Sequence, residues 1–178
     1  MVEDEIKILK ITKSPGPDGI HPIMLIQLAP YLKTPLTLLF NKTLETGEIP
    51  ADWKKGRISS IFKKGAKNRA ENYRPISLTS IVCKLMEKFI KQEILDYLLE
   101  NDLLSKKQHG FISGRSTVTQ LLRYLDDCIE EISDGSVVDA IYLDFSKAFD
   151  TVPHLRLMSK LESYGLKDSI KQWIIRRS

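Results

Sequence analysis

Asp144 is the residue whose position in this sequence most directly suggests chemistry. It follows Val137 to Leu143, a largely β-branched and aliphatic run interrupted by Asp139. Such a run is typical of a strand that is buried on at least one face. A charge at the end of a buried strand is costly to desolvate unless it meets a metal or a partner, so Asp144 is a candidate metal ligand. The alternative is that its carboxylate caps a turn.

A second candidate is the basic segment between residues 54 and 74. It holds eight of the 27 Lys and Arg residues but only one of the 23 Asp and Glu residues, which leaves 19 basic and 22 acidic residues elsewhere. A local excess of positive charge is the electrostatic footprint expected for contact with phosphate or nucleic acid. The alternative is a solvated face without a ligand. The basic residues are Lys54, Lys55, Arg57, Lys63, Lys64, Lys67, Arg69 and Arg74.

Other residue types that could do chemistry form no recognisable set. His21, His109 and His154 are scattered along the chain and lack metal-ligand spacing. Cys83 and Cys128 fall on the apolar faces of predicted helices, which favours two buried thiols in a reducing compartment over a disulfide or a metal site. The sequence also contains no Gly-rich phosphate loop, which argues against a Rossmann or P-loop enzyme.

The elements that must position these residues are mostly helices. Apolar residues at helical spacing and the positions of proline and glycine define them. Two strands are predicted, over 57–62 and over 137–144, and a turn is predicted over 14–19. The predicted helices cover residues 3–13, 22–32, 35–46, 80–100, 118–132, 154–164 and 169–177.

This order predicts an α+β fold, because helices predominate and the strands do not alternate with them. The 178 residues suffice for one ordinary domain or two small lobes. Hydrophobic residues make up 42% and charged residues 28%, as in globular proteins. No apolar run approaches the roughly 18–20 residues that span a bilayer. The charged N-terminus does not resemble a secretory signal, so we expect an intracellular protein.

Four segments resemble, in the same order, motifs of reverse transcriptases from non-LTR retrotransposons, the LINE and jockey-like elements. KSPGPDGI, starting at Lys13, is similar to the motif that opens the polymerase fold. Trp53 to Glu87, with FKKG and NYRPISLTS, resembles the fingers motif, and QHGFISGRST the next one. YLDFSKAFDTVPH resembles the first catalytic motif of the palm. The resemblance covers roughly residues 13–177 and implies right-hand polymerase fingers, 1–134, followed by the first part of the palm, 135–178.

The resemblance implies a metal site and a nucleotide site. Asp144 matches the first metal-binding carboxylate of the family, and the backbone carbonyl of Phe145 its companion ligand for Mg²⁺. Phe149 matches the aromatic residue under the sugar of the incoming nucleotide. The matched nucleotide-binding positions are Lys63, Lys64, Arg74, Lys147, Ala148 and Phe149.

The resemblance also implies a template-binding surface. Pro75 and Ile76 match residues that pack beneath the template base. Arg115 precedes a predicted helix, so its guanidinium and the helix N-terminus could bind a template phosphate. For Arg115 the alternative is a structural salt bridge or support of the helix N-terminus. The implied partners are an RNA template, a DNA primer and dNTP.

One short segment imitates a catalytic motif. Tyr124 to Asp127 spells the YxDD of the second catalytic motif of the family, but it precedes Asp144, whereas the family order places it after. The segment lies within a helical series of apolar residues, which predicts that Asp126 and Asp127 face solvent. We therefore interpret them as surface residues of a helix.

The resemblance also shows which catalytic residues are missing from these 178 residues. Two Mg²⁺ ions about 3.5–4 Å apart need several carboxylates, and Asp144 alone cannot hold them. The remaining carboxylates belong to a downstream motif of the family. We therefore expect a fragment of an RNA-directed DNA polymerase that is inactive by itself. The alternative is a non-catalytic relic that at most binds nucleic acid through residues 54–74 and Arg115.

Overall fold

The computed structural model describes residues 1–145, 148–149 and 151–177, and contacts divide the chain into two units. One unit combines residues 1–93 with 161–178, and the other comprises residues 94–160. The described elements mix helices with a small sheet, in agreement with the predicted α+β class. The helices are α1 (Val2–Lys7), α2 (Pro22–Gln27), α3 (Ala29–Thr46), α4 (Ile81–Glu100), α5 (Thr117–Ser133), α6 (His154–Ser163) and α7 (Asp168–Arg177), and the strands are β1 (Gly56–Phe62) and β2 (Tyr73–Thr79).

The core of the first unit is built on the N-terminal half of α4. Ile81, Leu85, Met86 and Ile90 are buried there, at the spacing that directs one helix face inward. Phe40 of α3 packs its ring 6.0 Å from that of Phe89 in α4. The same Phe40 ring lies 6.0 Å from the indole of buried Trp53, in the 3₁₀ turn Ala51–Lys54. Aromatic packing therefore joins α3, the turn before β1 and α4.

The last helix of the chain docks on the same unit through apolar and polar contacts. Ile170 and Trp173 of α7 are buried. Arg177 Nε donates hydrogen bonds to Glu87 Oε1 at 3.0 Å and to Cys83 Sγ at 3.2 Å. Since Cys83 and Glu87 are one turn apart on α4, a single guanidinium connects the end of α7 to one face of α4.

The turn before α2 approaches the end of β2 closely. Gly16 is buried, and a Cβ added to it would lie 2.6 Å from both the backbone nitrogen of Ser80 and the carbonyl carbon of Thr79. Only a residue without a side chain permits such an approach. The turn predicted over 14–19 is confirmed at its second half, where the Gly19 N–H donates to the Gly16 carbonyl at 3.1 Å, and Gly16 lies against the point where β2 ends and α4 begins.

Two helix boundaries in the first unit differ from the predictions. The helix predicted over 3–13 ends at Lys7, and Ile8 and Ile11 beyond it are exposed. The separate helices predicted over 22–32 and 35–46 are divided differently, because α3 begins at Ala29 and Pro35 lies inside it. Pro35 removes one backbone hydrogen bond, but Leu36 and Phe40 are buried and hold the helix across that position.

The second unit contains α5, which buries none of its residues. Its N-terminus is capped by Ser116, whose side chain accepts from the backbone N–H of Thr119 at 3.1 Å. The Thr119 hydroxyl oxygen in turn accepts from the N–H of Ser116 at 2.9 Å, which completes a capping box. The helix therefore starts at Thr117, directly after the capping residue.

The prediction of a strand over 137–144 is wrong. Residues 136–145 form no strand, and Val137, Ile141 and Leu143 are exposed by 91%, 85% and 86%. A strand needs a neighbour that completes its hydrogen-bond ladder, and the two strands among the described residues pair only with each other. The apolar run therefore has no ladder partner in the described part of the chain.

None of the described helices combines the length and apolarity needed to cross a membrane.

Replacing Gly16 by alanine tests the close approach at the β2–α4 junction. We expect Gly16→Ala to lower the free energy of unfolding by roughly 1–3 kcal/mol, because the added carbon would meet backbone atoms that cannot move without shifting β2 or α4. Urea denaturation followed by tryptophan fluorescence measures this change, since Trp53 and Trp173 both belong to this unit. The matched control is Gly56→Ala at the other strand of the same junction, where the nearest atom would be 3.6 Å away. Equal losses in both variants would contradict the packing argument.

The two cysteines should differ in reactivity. Cys83 has no exposed surface, and burial together with the Glu87 carboxylate raises the pKa of its thiol to about 11. A raised pKa keeps the thiol protonated at pH 8, so we expect Cys83 to react with a disulfide reagent only after unfolding. Cys128 is half-buried and should react first. A Cys128→Ser variant that still shows a rapidly reacting thiol would contradict the burial of Cys83.

Candidate nucleic-acid interface

The basic segment forms a β-hairpin that is exposed on both faces. Strands β1 and β2 are antiparallel, with Gly56 opposite Thr79 and Phe62 opposite Tyr73. β1 is exposed along its length, and β2 is exposed or half-buried. β1 was predicted, at 57–62, but β2 was missed. The alternating residues of β2 are compatible with a strand, and Pro75 is tolerated because both strands of a two-stranded sheet are edges.

The connection between the strands is held by its own hydrogen bonds. The backbone N–H of Lys63 donates to the Asn72 carbonyl at 2.8 Å, and Asn72 Nδ2 donates to the Ala66 carbonyl at 2.8 Å. The Tyr73 hydroxyl donates to the carbonyl of Lys67 at 2.9 Å. A 3₁₀ turn, Ala70–Asn72, leads into β2. The loop that carries the basic residues is thus tied to the ends of both strands.

Strand alternation sorts the predicted binding residues onto two faces. Arg74 pairs with Ile61 and shares its face with Ile76, because side chains alternate along a strand. Pro75 lies on the opposite face with Tyr73 and Phe62, whose rings are 5.5 Å apart. The structure therefore brings Arg74 and Ile76 together but separates Ile76 from Pro75, although both were predicted to pack beneath the template base.

The cations of the hairpin differ in whether they are paired. Arg69 forms a 3.2 Å ion pair with Glu71, and Lys67 Nζ lies 5.8 Å from the centroid of the Phe62 ring. In contrast, Lys63, Lys64 and Arg74 are exposed and have no ion-pair partner among the described residues. The three predicted nucleotide-binding cations of the hairpin are thus available to an external anion, as is Arg57 of β1, which is likewise exposed and has no ion-pair partner among the described residues.

Arg115 is engaged with the protein backbone. Its Nη1 donates to the carbonyl of Lys106 at 3.0 Å and to that of Gln108. Nearby, His109 Nδ1 lies 3.0 Å from the hydroxyl oxygen of Thr119 in the first turn of α5. These contacts hold the loop that precedes α5. The structural alternative for Arg115 therefore has direct support, although its Nε and Nη2 make no hydrogen bond to the described residues.

The predicted metal ligands lie in the irregular segment that replaces the expected strand. Asp144 is exposed, and Phe145 is exposed by 82%. Phe149 packs its ring 6.0 Å from that of Phe111, edge to face, and Ala148 lies in a turn beside it. Lys147 lies outside the described residues. Among Asp144, Phe145, Ala148 and Phe149, the contact that the structure shows is the one between the aromatic rings of Phe149 and Phe111.

The oxygen ligands of this segment do not fit a two-metal centre by themselves. A pair of Mg²⁺ ions requires several hard oxygen ligands in near-octahedral arrangement. Within the described ranges, no three His, Cys, Asp or Glu residues are grouped so that they could hold a metal ion. Asp144 and the Phe145 carbonyl can therefore supply only part of such a site.

The segment Tyr124 to Asp127, which has the YxDD sequence, is helical, as predicted. Tyr124 to Asp127 lie within α5, and both acids are exposed. Asp127 Oδ2 is 3.9 Å from Lys107 Nζ, an exposed ion pair. Because these carboxylates belong to a solvent-facing helix surface, they do not complete the ligand set of Asp144.

Comparison with known proteins identifies the family of the chain. Residues 61–178 match the family described as reverse transcriptase (RNA-dependent DNA polymerase). The chain is 35% identical over 162 residues to the "Probable RNA-directed DNA polymerase from transposon BS" of Drosophila melanogaster, covering 90% of this chain and 18% of that protein. It is 31% identical over 160 residues to the "RNA-directed DNA polymerase from mobile element jockey" of the same species, covering 89% of this chain and 18% of that protein.

A third relative gives the same result. The "Probable RNA-directed DNA polymerase from transposon X-element" of Drosophila melanogaster is 32% identical over 151 residues, covering 84% of this chain and 17% of that protein. The chain thus spans less than a fifth of the length of these curated relatives. The family match extends over residues 61–178, the relatives are named as polymerases of transposons and mobile elements, and the chain belongs to the reverse transcriptase family of non-LTR retrotransposons.

Proposed function

We propose that this chain is the fingers region, residues 1–134, and the first part of the palm, residues 135–178, of an RNA-directed DNA polymerase. The observation that carries the proposal is the hairpin. It is the most basic segment of a family member, and it presents four exposed cations that make no ion pair or cation–π contact with the described residues, Arg57 and Arg74 in the strands and Lys63 and Lys64 in the loop that joins them. RNA template, DNA primer and dNTP are the partners that this function requires.

The chemistry of the hairpin suits a phosphate-bearing ligand. Arg74 offers a planar guanidinium that can grip two phosphate oxygens, and Lys63 and Lys64 at the end of β1 add mobile point charges. Ile76 lies beside Arg74 on the same face and offers an apolar surface to a base or sugar. We therefore assign the Arg74–Ile76 face to the incoming nucleotide and the paired template base, and keep Pro75 as a support from the opposite face.

The palm residues have narrower proposed roles. Asp144 and the Phe145 carbonyl would supply part of the Mg²⁺ ligand set, and Phe149, Ala148 and Lys147 would adjoin the sugar and triphosphate. Nucleotidyl transfer requires further carboxylates, because no three His, Cys, Asp or Glu residues in the described part of the chain are grouped as a metal site that Asp144 could belong to. For residues 1–178 alone we therefore propose nucleic-acid binding without polymerisation.

A second function for this exact chain is that of a binding remnant without any catalytic role. The exposed position of Asp144 and the backbone contacts of Arg115 favour it, since neither residue is organised around a substrate. The two functions make the same prediction for binding by the hairpin. They differ in whether Asp144 contributes to catalysis when a more complete polymerase domain carries it.

Neutralising the hairpin cations tests the proposed interface. We expect the triple variant Lys63→Gln, Lys64→Gln, Arg74→Gln to bind a fluorescent RNA–DNA primer–template at least about tenfold more weakly at low salt, because up to three phosphate contacts are lost. The slope of log K against log salt should fall by about 2 to 3 for the same reason. Fluorescence anisotropy at several salt concentrations measures both quantities.

The matched control is the triple variant Lys10→Gln, Lys42→Gln, Lys91→Gln, which removes the same charge from exposed positions outside the hairpin. We expect its affinity to change by less than about threefold. An equal loss in both triple variants would mean that net charge and not the hairpin determines binding. Unchanged affinity in the hairpin variant would refute the interface.

Polymerase activity of the isolated chain is a separate measurement. We expect purified 1–178 with Mg²⁺, a primed RNA template and dNTP to give no template-directed primer extension, because one carboxylate cannot clamp two ions. Extended primers resolved by denaturing electrophoresis report the activity. Extension that disappears in Asp144→Ala would contradict the prediction and show that Asp144 assembles an active site within these residues.

A further inference from the structure

The outer edge of β1 carries backbone groups with no strand beside them. The Lys63 N–H donates to the Asn72 carbonyl, so positions 63 and 72 form a hydrogen-bonded pair just beyond the two strands. Because such pairs alternate along an antiparallel ladder, Ile58, Ser60 and Phe62 direct their N–H and C=O groups away from β2. The sheet among the described residues contains only β1 and β2, and β1 has no proline. Its outer edge is therefore open to a further strand along its whole length.

Residues 137–144 are the counterpart of this edge, because they have the composition of a strand but no sheet to join. Apart from Asp139 and Asp144 the segment is apolar, and Val137, Ile141 and Leu143 are almost fully exposed. Its backbone makes no hydrogen bond to the backbone of any described residue. An apolar segment with free backbone groups tends to pair with an open strand edge.

Charge favours β1 as the partner of this segment. Residues 137–144 contain two carboxylates and no cation, so pairing with the same segment of another copy would double the negative charge of the ladder. Arg57 of β1 is exposed and has no ion-pair partner among the described residues. An antiparallel pairing with Arg57 opposite Asp144 also places Ile58 opposite Leu143. Opposite charges and apolar side chains then meet across the two strands.

We propose that residues 137–144 of one copy of this chain pair, as an antiparallel strand, with the open edge of β1 in a second copy. Each copy has one such segment and one such edge, so a reciprocal exchange forms a closed dimer. The contact uses the outer edge of the hairpin, whereas the proposed nucleotide-binding surface is its Arg74–Ile76 face. This association is distinct from the polymerase function, since it involves neither nucleic acid nor metal.

Sedimentation velocity without nucleic acid or Mg²⁺ tests the proposal. We expect the weight-average mass to rise from 20.4 kDa toward twice that value between about 1 and 100 μM protein. Arg57→Asp and Asp144→Arg should each raise the dissociation constant of the dimer at least about tenfold, because like charges then lie opposite one another at both symmetric contacts. An equimolar mixture of the two variants should associate as the wild type does, because each contact again joins an aspartate to an arginine. Such recovery requires contact between different copies.

A proline substitution tests the backbone ladder separately from charge. In the proposed pairing Ile141 lies opposite Ser60, whose backbone faces the open edge, so Ile141→Pro removes a central N–H donor. We expect the dissociation constant to rise at least about tenfold. Because Ile141 is exposed and lies outside the described helices and strands, the monomer should keep its helical circular dichroism.

The charge-matched controls are Lys42→Asp and Glu48→Arg, at exposed positions outside the hairpin, and each should change the dissociation constant by less than about threefold. A monomer at every concentration, assemblies that grow beyond a dimer, or a variant mixture that fails to recover would overturn the proposal. Unchanged association of Arg57→Asp together with loss in Ile141→Pro would overturn it in favour of pairing between two copies of residues 137–144. Because no nucleic acid is present, each of these outcomes is independent of the primer–template measurements.

Discussion

The close approach of Gly16 to the backbone of Thr79 and Ser80 is the contact on which the candidate interface depends. No residue of the two strands is fully buried, so the hairpin has no buried core of its own to hold it. Its position is set at its base, where β2 ends and α4 begins. There the buried Gly16 meets the backbone of Thr79 and buried Ser80, and the face of α4 that begins at Ile81 is the core of the unit. The exposed hairpin is thus supported at its base by the tightly packed contact of Gly16 with the end of β2 and the start of α4.

Much of the fold follows from local sequence patterns. Helix α4 is predicted at 80–100 and observed at Ile81–Glu100, because its apolar residues repeat at the period of a helix that packs on one face. Gly47 ends α3 in the left-handed conformation, close to the predicted end. In contrast, Pro35 predicts the start of a helix, but it lies inside α3, where the buried side chains of Leu36 and Phe40 stabilise the helix. The strand before Asp144 could not be decided locally, since a strand depends on the partner that completes its ladder.

The candidate sites were predictable in composition but not in geometry. Charge counting finds residues 54–74, and family motifs single out Lys63, Lys64 and Arg74. Neither reveals that Pro75 and Ile76 occupy opposite faces, because that follows from the pairing of β2, which was missed. The role of Arg115 was equally undecided, since the hydrogen bonds of its guanidinium to the carbonyls of Lys106 and Gln108 depend on the path of the loop and no local pattern marks them.

The alternating faces of the hairpin restrict how the segment can change in length during evolution. Inserting or deleting one residue within β2 would move every following side chain to the other face, so Arg74 or Ile76 would exchange places with an aromatic or proline neighbour. The same change between Lys63 and Asn72 would alter the loop and leave both strands in register. Length variation among related sequences should therefore concentrate in this loop, and the strands should vary by substitution only.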